Sequence, residues 1–264
     1  MHGHQPRKRF GQNFLADSHY VNRIVAAIDP AKGEPVVEIG PGLGALTAHL
    51  IDRAGHITAV EIDRDLVARL RERFTPAQLT LVEGDALEFD YATLGSGLRI
   101  VGNLPYNISS PLLFHLARFK ASLRDLHVML QKEVVDRMVA GAGTADYGRL
   151  SVMLQAQFEI AKLLNVPPGA FRPSPKVDSA VVRLRPLQAR APAIDDPELF
   201  ARIVSAAFSQ RRKTLRNALA TICDAALIAS AGIDPGARGE TLGVARFVDL
   251  ANAVGRRGAL DIAP

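Results

Sequence analysis

The chain has 264 residues, 48% of them hydrophobic. That is enough for one large α/β domain with a small appendage, and it excludes wholesale disorder. A net charge of +5 and a pI of about 9.6 suit a chain that meets a polyanion, either nucleic acid or an anionic membrane face. No apolar run approaches the roughly 18 residues of a membrane span. The opening MHGHQPRKRFGQNFL is polar and basic rather than a signal peptide. Cys223 stands alone, so an internal disulfide is excluded. No Cys/His cluster has zinc spacing, and His2 and His4 read as part of a loose start. A cytoplasmic chain with no metal and no membrane partner is expected.

Taken in chain order, Tyr20–Ile28 has helical apolar spacing, and residues 35–39 form a short strand running into glycines. A helix follows at 45–53, a strand at 56–61 and a helix at 65–74, with Asp63 placed as its N-cap. Strands are expected at 79–83, 98–101 and 126–130, and helices at 111–117 and 132–140. This rhythm predicts a parallel sheet covered by helices on both faces, the doubly wound Rossmann-like architecture. Ligands in such sheets sit beyond the carboxyl ends of the strands. Around 185–197, Pro186, Pro192 and Pro197 mark a linker. Helices are expected beyond it at 197–220, 227–231 and 241–253. The division is therefore expected at 1–189 for the sheet domain with its basic arm, and 190–264 for a small all-helical domain.

The first strand ends in Glu38-Ile-Gly40-Pro-Gly-Leu-Gly44. This G-x-G-x-G spacing departs from the G-x-G-x-x-G of dinucleotide sites, and no lysine follows it as in a phosphate-binding loop. A carboxylate at Glu38 would repel a pyrophosphate and suits a cationic ligand. Glu61 ends the second strand, where an acid accepts hydrogen bonds from ribose hydroxyls. Asp85 ends the third, where it can accept from an adenine amine. Three acids at successive strand ends favour S-adenosylmethionine over NAD.

The fourth strand runs into Asn103-Leu104-Pro105-Tyr106. An exocyclic adenine amine is a weak nucleophile, because its lone pair is delocalised into the ring. An enzyme acting on it must accept hydrogen bonds from its N–H groups. Asn103 offers a side-chain oxygen and Leu104 a backbone carbonyl. Pro105 stiffens the turn. Tyr106 supplies a ring for stacking on an extruded base. A sulfonium donor leaves as a neutral thioether, so positioning and electrostatics suffice without a strong base.

These segments resemble the KsgA-type ribosomal RNA adenine dimethyltransferases. The resemblance rests on EIGPGLGALT (38–47), EID (61–63), GDA (84–86) and NLPYNIS (103–109). RKRFGQNFL (7–15), FRPSPKVDS (171–179) and AFSQRRKTLRNAL (207–219) extend it across nearly the whole chain. It implies that Asn13, Leu15 and Gly40 lie against the cofactor, Glu61 holds its ribose and Asp85 its adenine. It also implies that Asn103 lies between cofactor and target, with Tyr106 on one face of the target base and Phe171 on the other. The implied substrate is a pair of adjacent adenines near the 3′ end of small-subunit (16S) ribosomal RNA, each dimethylated, in a precursor of the small subunit.

Arg7, Lys8 and Arg9 read as an arm that folds over cofactor or RNA. Arg211, Arg212, Lys213 and Arg216 read as a basic helical face aimed at phosphates. Lys132, Arg137 and Arg149 are candidates to extend it. Two other functions stay open at this point: a large-subunit RNA methyltransferase of the macrolide-resistance type, and a non-catalytic ribosome assembly factor. Nothing in the sequence demands more than a monomer.

Overall fold

The computed structural model describes residues 13–187 and 193–260, so Arg7, Lys8, Arg9 and part of the expected linker lie outside the described residues. In chain order the elements are β1 (Phe14–Leu15), α1 (Ser18–Ile28), β2 (Val36–Ile39), α2 (Ala45–Ala54), β3 (Ile57–Glu61), α3 (Arg64–Arg73) and β4 (Leu79–Glu83). They continue with β5 (Leu98–Asn103), α4 (Ser109–Ala117), β6 (Leu123–Gln131), α5 (Lys132–Val139) and α6 (Arg149–Gln155). After these come β7 (Phe158–Val166), β8 (Phe171–Arg172), β9 (Ser179–Pro186), α7 (Pro197–Ser209), α8 (Leu215–Ala218), α9 (Ala225–Ser230) and α10 (Val244–Leu260). The chain divides into two compact units, residues 1–135 with 160–186, and residues 136–159 with 187–264.

The first unit is built on a sheet of order β4-β3-β2-β5-β6-β9-β7. Strands β4, β3, β2, β5 and β6 run parallel to their neighbours, and β9 is antiparallel to β6. This is the expected Rossmann-like sheet. The order reverses between β2 and β5, the position where open α/β sheets leave a crevice. The local reasons are legible. In α1, Val21, Ile24, Val25 and Ile28 are buried at helical spacing, and the Asp17 side chain caps the helix by accepting from the His19 N–H. Asp63 caps α3 in the same way, accepting from the Asp65 N–H at 3.1 Å, as expected from sequence. All four residues of β2 are buried, as a central parallel strand requires.

At the amino ends of the strands, away from the crevice, Arg99 of β5 is buried and pairs with Asp125 of β6 at 2.9 Å and with Glu34 at 2.8 Å. Burial pushes the Asp125 carboxyl up. The neighbouring His127 and the hydrogen bonds and charge of Arg99 more than offset this and hold it at about 2. Removing one partner of such a buried pair strands the other charge.

The second unit is all-helical apart from the start of β7. Phe200, Ile203 and Val204 of α7 pack with Phe247 and Val248 of α10 and with Val152 of α6. The Tyr147 hydroxyl donates to the Leu242 carbonyl at 2.8 Å. Residues 136–159 thus belong with the helices, whereas the sequence placed everything before 190 with the sheet. The β7 and β9 strands, unassigned in the sequence reading, complete the sheet edge.

The basic segment also differs from expectation. Helix α7 stops at Ser209, and residues 210–214 form a turn before the four-residue α8. The cause is pairing with a distant segment. Thr214 bridges Arg238, the Leu215 N–H donates to the Ala237 carbonyl at 2.7 Å, and the Arg216 N–H donates to the Pro235 carbonyl at 3.0 Å. These bonds fix residues 214–216 as the start of a separate short helix, so Arg212 and Arg216 do not share a helix face. Among the described residues, no helix is long and apolar enough to cross a membrane.

Candidate active site

A cavity of about 280 Å³ lies at the carboxyl ends of β2, β3, β4 and β5. Its walls come from Gly40 and Gly42 after β2, Glu61 and Ile62 after β3, Asp85 after β4, residues 103–108 after β5, and Asn13 and Phe14 of the N-terminal segment.

The glycine turn needs its glycines. Gly42 has φ +59, and a Cβ there would meet the Phe14 ring at 3.0 Å. The turn lets Phe14 close over the cavity and lets the Gly42 N–H reach Glu61 Oε2 at 3.3 Å. Arg73 Nη1 donates to the Leu43 carbonyl at 2.8 Å and ties the turn to α3. Glu61 is nearly buried, and its other oxygen accepts from the Asp63 N–H at 3.0 Å. Burial pushes its pKa up, against the lowering effect of these two backbone donors. Asp85 lies on the cavity wall, with Oδ1 held by the Leu87 N–H at 2.8 Å.

Behind the turn sits Glu38. It does not line the main cavity but a small adjoining recess, with Leu15, Gly40 and Asn103. The Thr47 hydroxyl donates to it at 2.6 Å. Burial pushes its pKa up to about 7, Thr47 opposing and the Glu61 charge adding to the rise. It is therefore not the fixed negative charge expected from sequence. Because the folded carboxyl keeps its proton to higher pH than an unfolded one, its contribution to stability is complete below about 4.5 and is lost as pH rises through about 7. Glu38→Gln should flatten the fall in urea midpoint between pH 5 and pH 8. A midpoint that still falls as in the parent would place the titration elsewhere.

The β5 loop is braced at Asn103, Leu104 and Tyr106. The Leu104 N–H donates to the Met129 carbonyl at 3.1 Å, and the Leu104 side chain is buried. Asn103 Nδ2 donates to the Asn13 carbonyl at 2.9 Å, which commits the amide nitrogen and leaves Oδ1 as its acceptor. The Tyr106 hydroxyl shares a hydrogen bond of 2.7 Å with Ser179 Oγ. Ser109 Oγ donates to the Tyr106 carbonyl at 3.1 Å. Gly102 admits this packing, because a Cβ there would meet the Ile39 carbonyl oxygen at 2.7 Å.

Asn13, Gly40, Glu61, Asp85, Asn103, Leu104, Pro105 and Tyr106 thus converge on one cavity. Two expected members do not. Leu15 is buried in the core and reaches only the recess. Phe171 is 0% exposed, packed in the same core cluster as Leu15, Leu164 and Val181, and presents no face to a base. The reason is strand pairing: β1 and β8 are antiparallel with Leu15 opposite Phe171, which turns the ring inward as an anchor for the N-terminal segment. Phe14, Ile62 and Ser179 were missed by the sequence reading. Ile62 is 45% exposed directly after Glu61, and an apolar residue left open at a strand end is the signal that would have found it.

The wall chemistry fits S-adenosylmethionine. The wall carries two acids able to accept from ribose hydroxyls and an adenine amine, apolar Phe14, Ile62 and Ile108, and a glycine turn that keeps the backbone close. Known proteins agree. The chain matches the family described as Ribosomal RNA adenine dimethylase over residues 3–255. It is 61% identical to Ribosomal RNA small subunit methyltransferase A of Aromatoleum aromaticum, covering 96% of each chain. It is 61% identical to the protein of that name from Thiobacillus denitrificans, over 92% of this chain and 96% of the relative. A dimethyladenosine transferase from Plasmodium falciparum shares the fold at a TM-score of 0.81 and 24% identity, covering 93% of this chain and 98% of that one. The 23S rRNA methyltransferase ErmE aligns at 0.71 and 28% identity, over 92% of this chain and 100% of that one. A cavity of this chemistry on this sheet, in a chain matched almost from end to end, makes the protein a member of the ribosomal RNA adenine dimethylase family.

Proposed function

We propose that the protein dimethylates the N6 amines of two adjacent adenines near the 3′ end of small-subunit (16S) ribosomal RNA, during assembly of that subunit in the cytoplasm. The observation that carries this is Asn103 fixed at the edge of the cavity with its amide nitrogen already committed to Asn13. The relatives named small subunit methyltransferase support the choice of RNA.

The cofactor is S-adenosylmethionine, which supplies an electrophilic methyl group on a sulfonium. Glu61 and Asp85 would hold its ribose and adenine, and Gly40 and Asn13 would border its other end. Asn103 Oδ1 and the Leu104 carbonyl accept from the target N–H groups, so the amine is drawn toward the tetrahedral geometry in which its lone pair is available. Pro105 keeps the two acceptors in place. Tyr106 stacks on the extruded adenine. Its hydroxyl is not the base, because an ordinary phenol is already protonated at neutral pH and burial raises its pKa further. No general base is required, since the methylated nitrogen is acidic and releases its proton to solvent. One chain is the working unit, with no resident metal.

The helical unit supplies RNA contacts. Arg211 is tied into the fold, pairing with Glu240 at 3.2 Å and donating to the Ala145 carbonyl at 3.0 Å. Arg212, Lys213 and Arg216 are exposed. Replacing these three with Ala should lower the slope of log affinity against log salt by about 2–3, at about 0.7–0.9 per phosphate contact. An unchanged slope would remove this patch from the interface. Arg7, Lys8 and Arg9 are proposed to add to it.

The deciding experiment is transfer of labelled methyl to purified small subunits lacking adenine dimethylation, followed by nucleoside analysis. Label in N6,N6-dimethyladenosine supports the reading. Label only on protein-free large-subunit RNA would transfer the assignment to the macrolide-resistance type of activity.

A further inference from the structure

Stacking on a base uses the ring of Tyr106 and has no need of its hydroxyl. That hydroxyl is nevertheless engaged, sharing a 2.7 Å hydrogen bond with Ser179 Oγ. Ser179 opens β9 opposite Gln131 of β6 and is 0% exposed. It therefore belongs to the antiparallel part of the sheet and not to the loop that carries Asn103. The strand start is itself fixed, because the adjacent Asp178 carbonyl accepts from the Lys132 N–H at 2.9 Å. At the other end of the tyrosine, the Ser109 hydroxyl donates to the Tyr106 carbonyl at 3.1 Å, and the Ile108 N–H donates to the Pro105 carbonyl at 3.1 Å.

We propose that Ser179 is a positioning residue for methyl transfer: it tethers the Tyr106 hydroxyl and so holds the ring in the pose that receives the target adenine. This rests on the proposed reading of the cavity as an adenine methylation site. An aromatic ring on a loop swings about two torsions, and ordering it only when the base arrives opposes binding. A ring fixed at its backbone and at its para position offers its faces without that cost. Burial keeps the phenol protonated at neutral pH, so the hydroxyl serves as a tether and not as a titrating group. The segment FRPSPKVDS thus reaches the site through its last residue, Ser179, while Phe171 stays in the core.

The test is single-turnover methyl transfer to small subunits lacking adenine dimethylation, at saturating S-adenosylmethionine, for the parent, Ser179→Ala, Tyr106→Phe and the double variant. Each single change should slow transfer about five- to tenfold, the worth of one ordinary hydrogen bond. The double variant should be no slower than either single one, because both remove the same contact. S-adenosylmethionine affinity should not change, and Ser179→Thr should restore part of the rate. An RNA fragment with 2-aminopurine at the target position should show weaker fluorescence quenching with either single variant than with the parent. A serine that merely supported folding would lower cofactor affinity and melting temperature along with the rate, and its loss would add to that of Tyr106→Phe. Tyr106→Phe leaves the buried strand intact, so a full rate in that variant overturns the proposal even if Ser179→Ala does not fold. Full rates in both variants, or losses that multiply in the double variant, overturn it while the functional reading stands. Absence of adenine methylation by the parent overturns both.

Discussion

Asn103→Ala is expected to slow methyl transfer to small-subunit RNA by roughly 10²–10³-fold, the usual loss when one preorganised polar group is removed from a reaction centre. In the proposed mechanism the side-chain oxygen accepts from the target amine. Its orientation is set before substrate arrives, because Nδ2 donates to the Asn13 carbonyl. Alanine removes the acceptor and also releases the N-terminal segment from the β5 loop. Cofactor affinity should change only a few-fold, since Glu61 and Asp85 remain. Asn103→Asp sharpens the test. It keeps an oxygen but loses the donor to Asn13, so it should also be slow. An alanine variant within about threefold of the parent rate in single turnover would remove Asn103 from the chemistry.

Glu61→Gln should weaken S-adenosylmethionine binding by about 10–100-fold while leaving the single-turnover rate at saturating cofactor within a few-fold. The carboxylate accepts from the Gly42 and Asp63 N–H groups, one on each oxygen. Both oxygens keep capacity for the two ribose hydroxyls. A glutamine turns one oxygen into an NH₂, which then faces a backbone N–H and offers no acceptor to the ribose. Hydrogen bonds to a charged group are worth about 1.5–3 kcal/mol each, which sets the expected loss. Calorimetric titration measures it directly. Unchanged affinity with a lowered rate would mean that Glu61 orders the glycine turn and does not hold the ribose.

How much of this was readable beforehand depended on how local each cause is. The parallel sheet was legible because β2, β3, β4 and β5 are short apolar runs, and caps such as Asp63 follow from neighbouring residues. Two of the three acids at strand ends, Glu61 and Asp85, were legible for the same reason: the carboxyl ends of parallel strands open on the crevice. Glu61, Asp85 and the Asn103–Tyr106 loop therefore stand where they were expected.

Other features were decided by partners distant in the chain. Helix α7 was expected to run on through the basic residues, which are sound helix formers, but pairing of 214–216 with 235–238 ended it at Ser209. Residues 136–159 precede the linker in sequence yet bury Tyr147 and Val152 among the later helices. The family resemblance implied a place for Phe171 on a face of the target base; its pairing with Leu15, more than 150 positions earlier, turned it into the core instead. Glu38 read as a plain charge beside a cationic ligand, and only burial with Thr47 and Glu61 moved its titration toward neutrality. By itself, the sequence determined the parallel part of the sheet, its crevice and the residue types that border it, because short-range periodicity and strand polarity suffice for those. The tertiary structure alone decided which side chains reach the cavity and which are spent on packing, because that depends on strand register and on contacts between segments far apart in the chain.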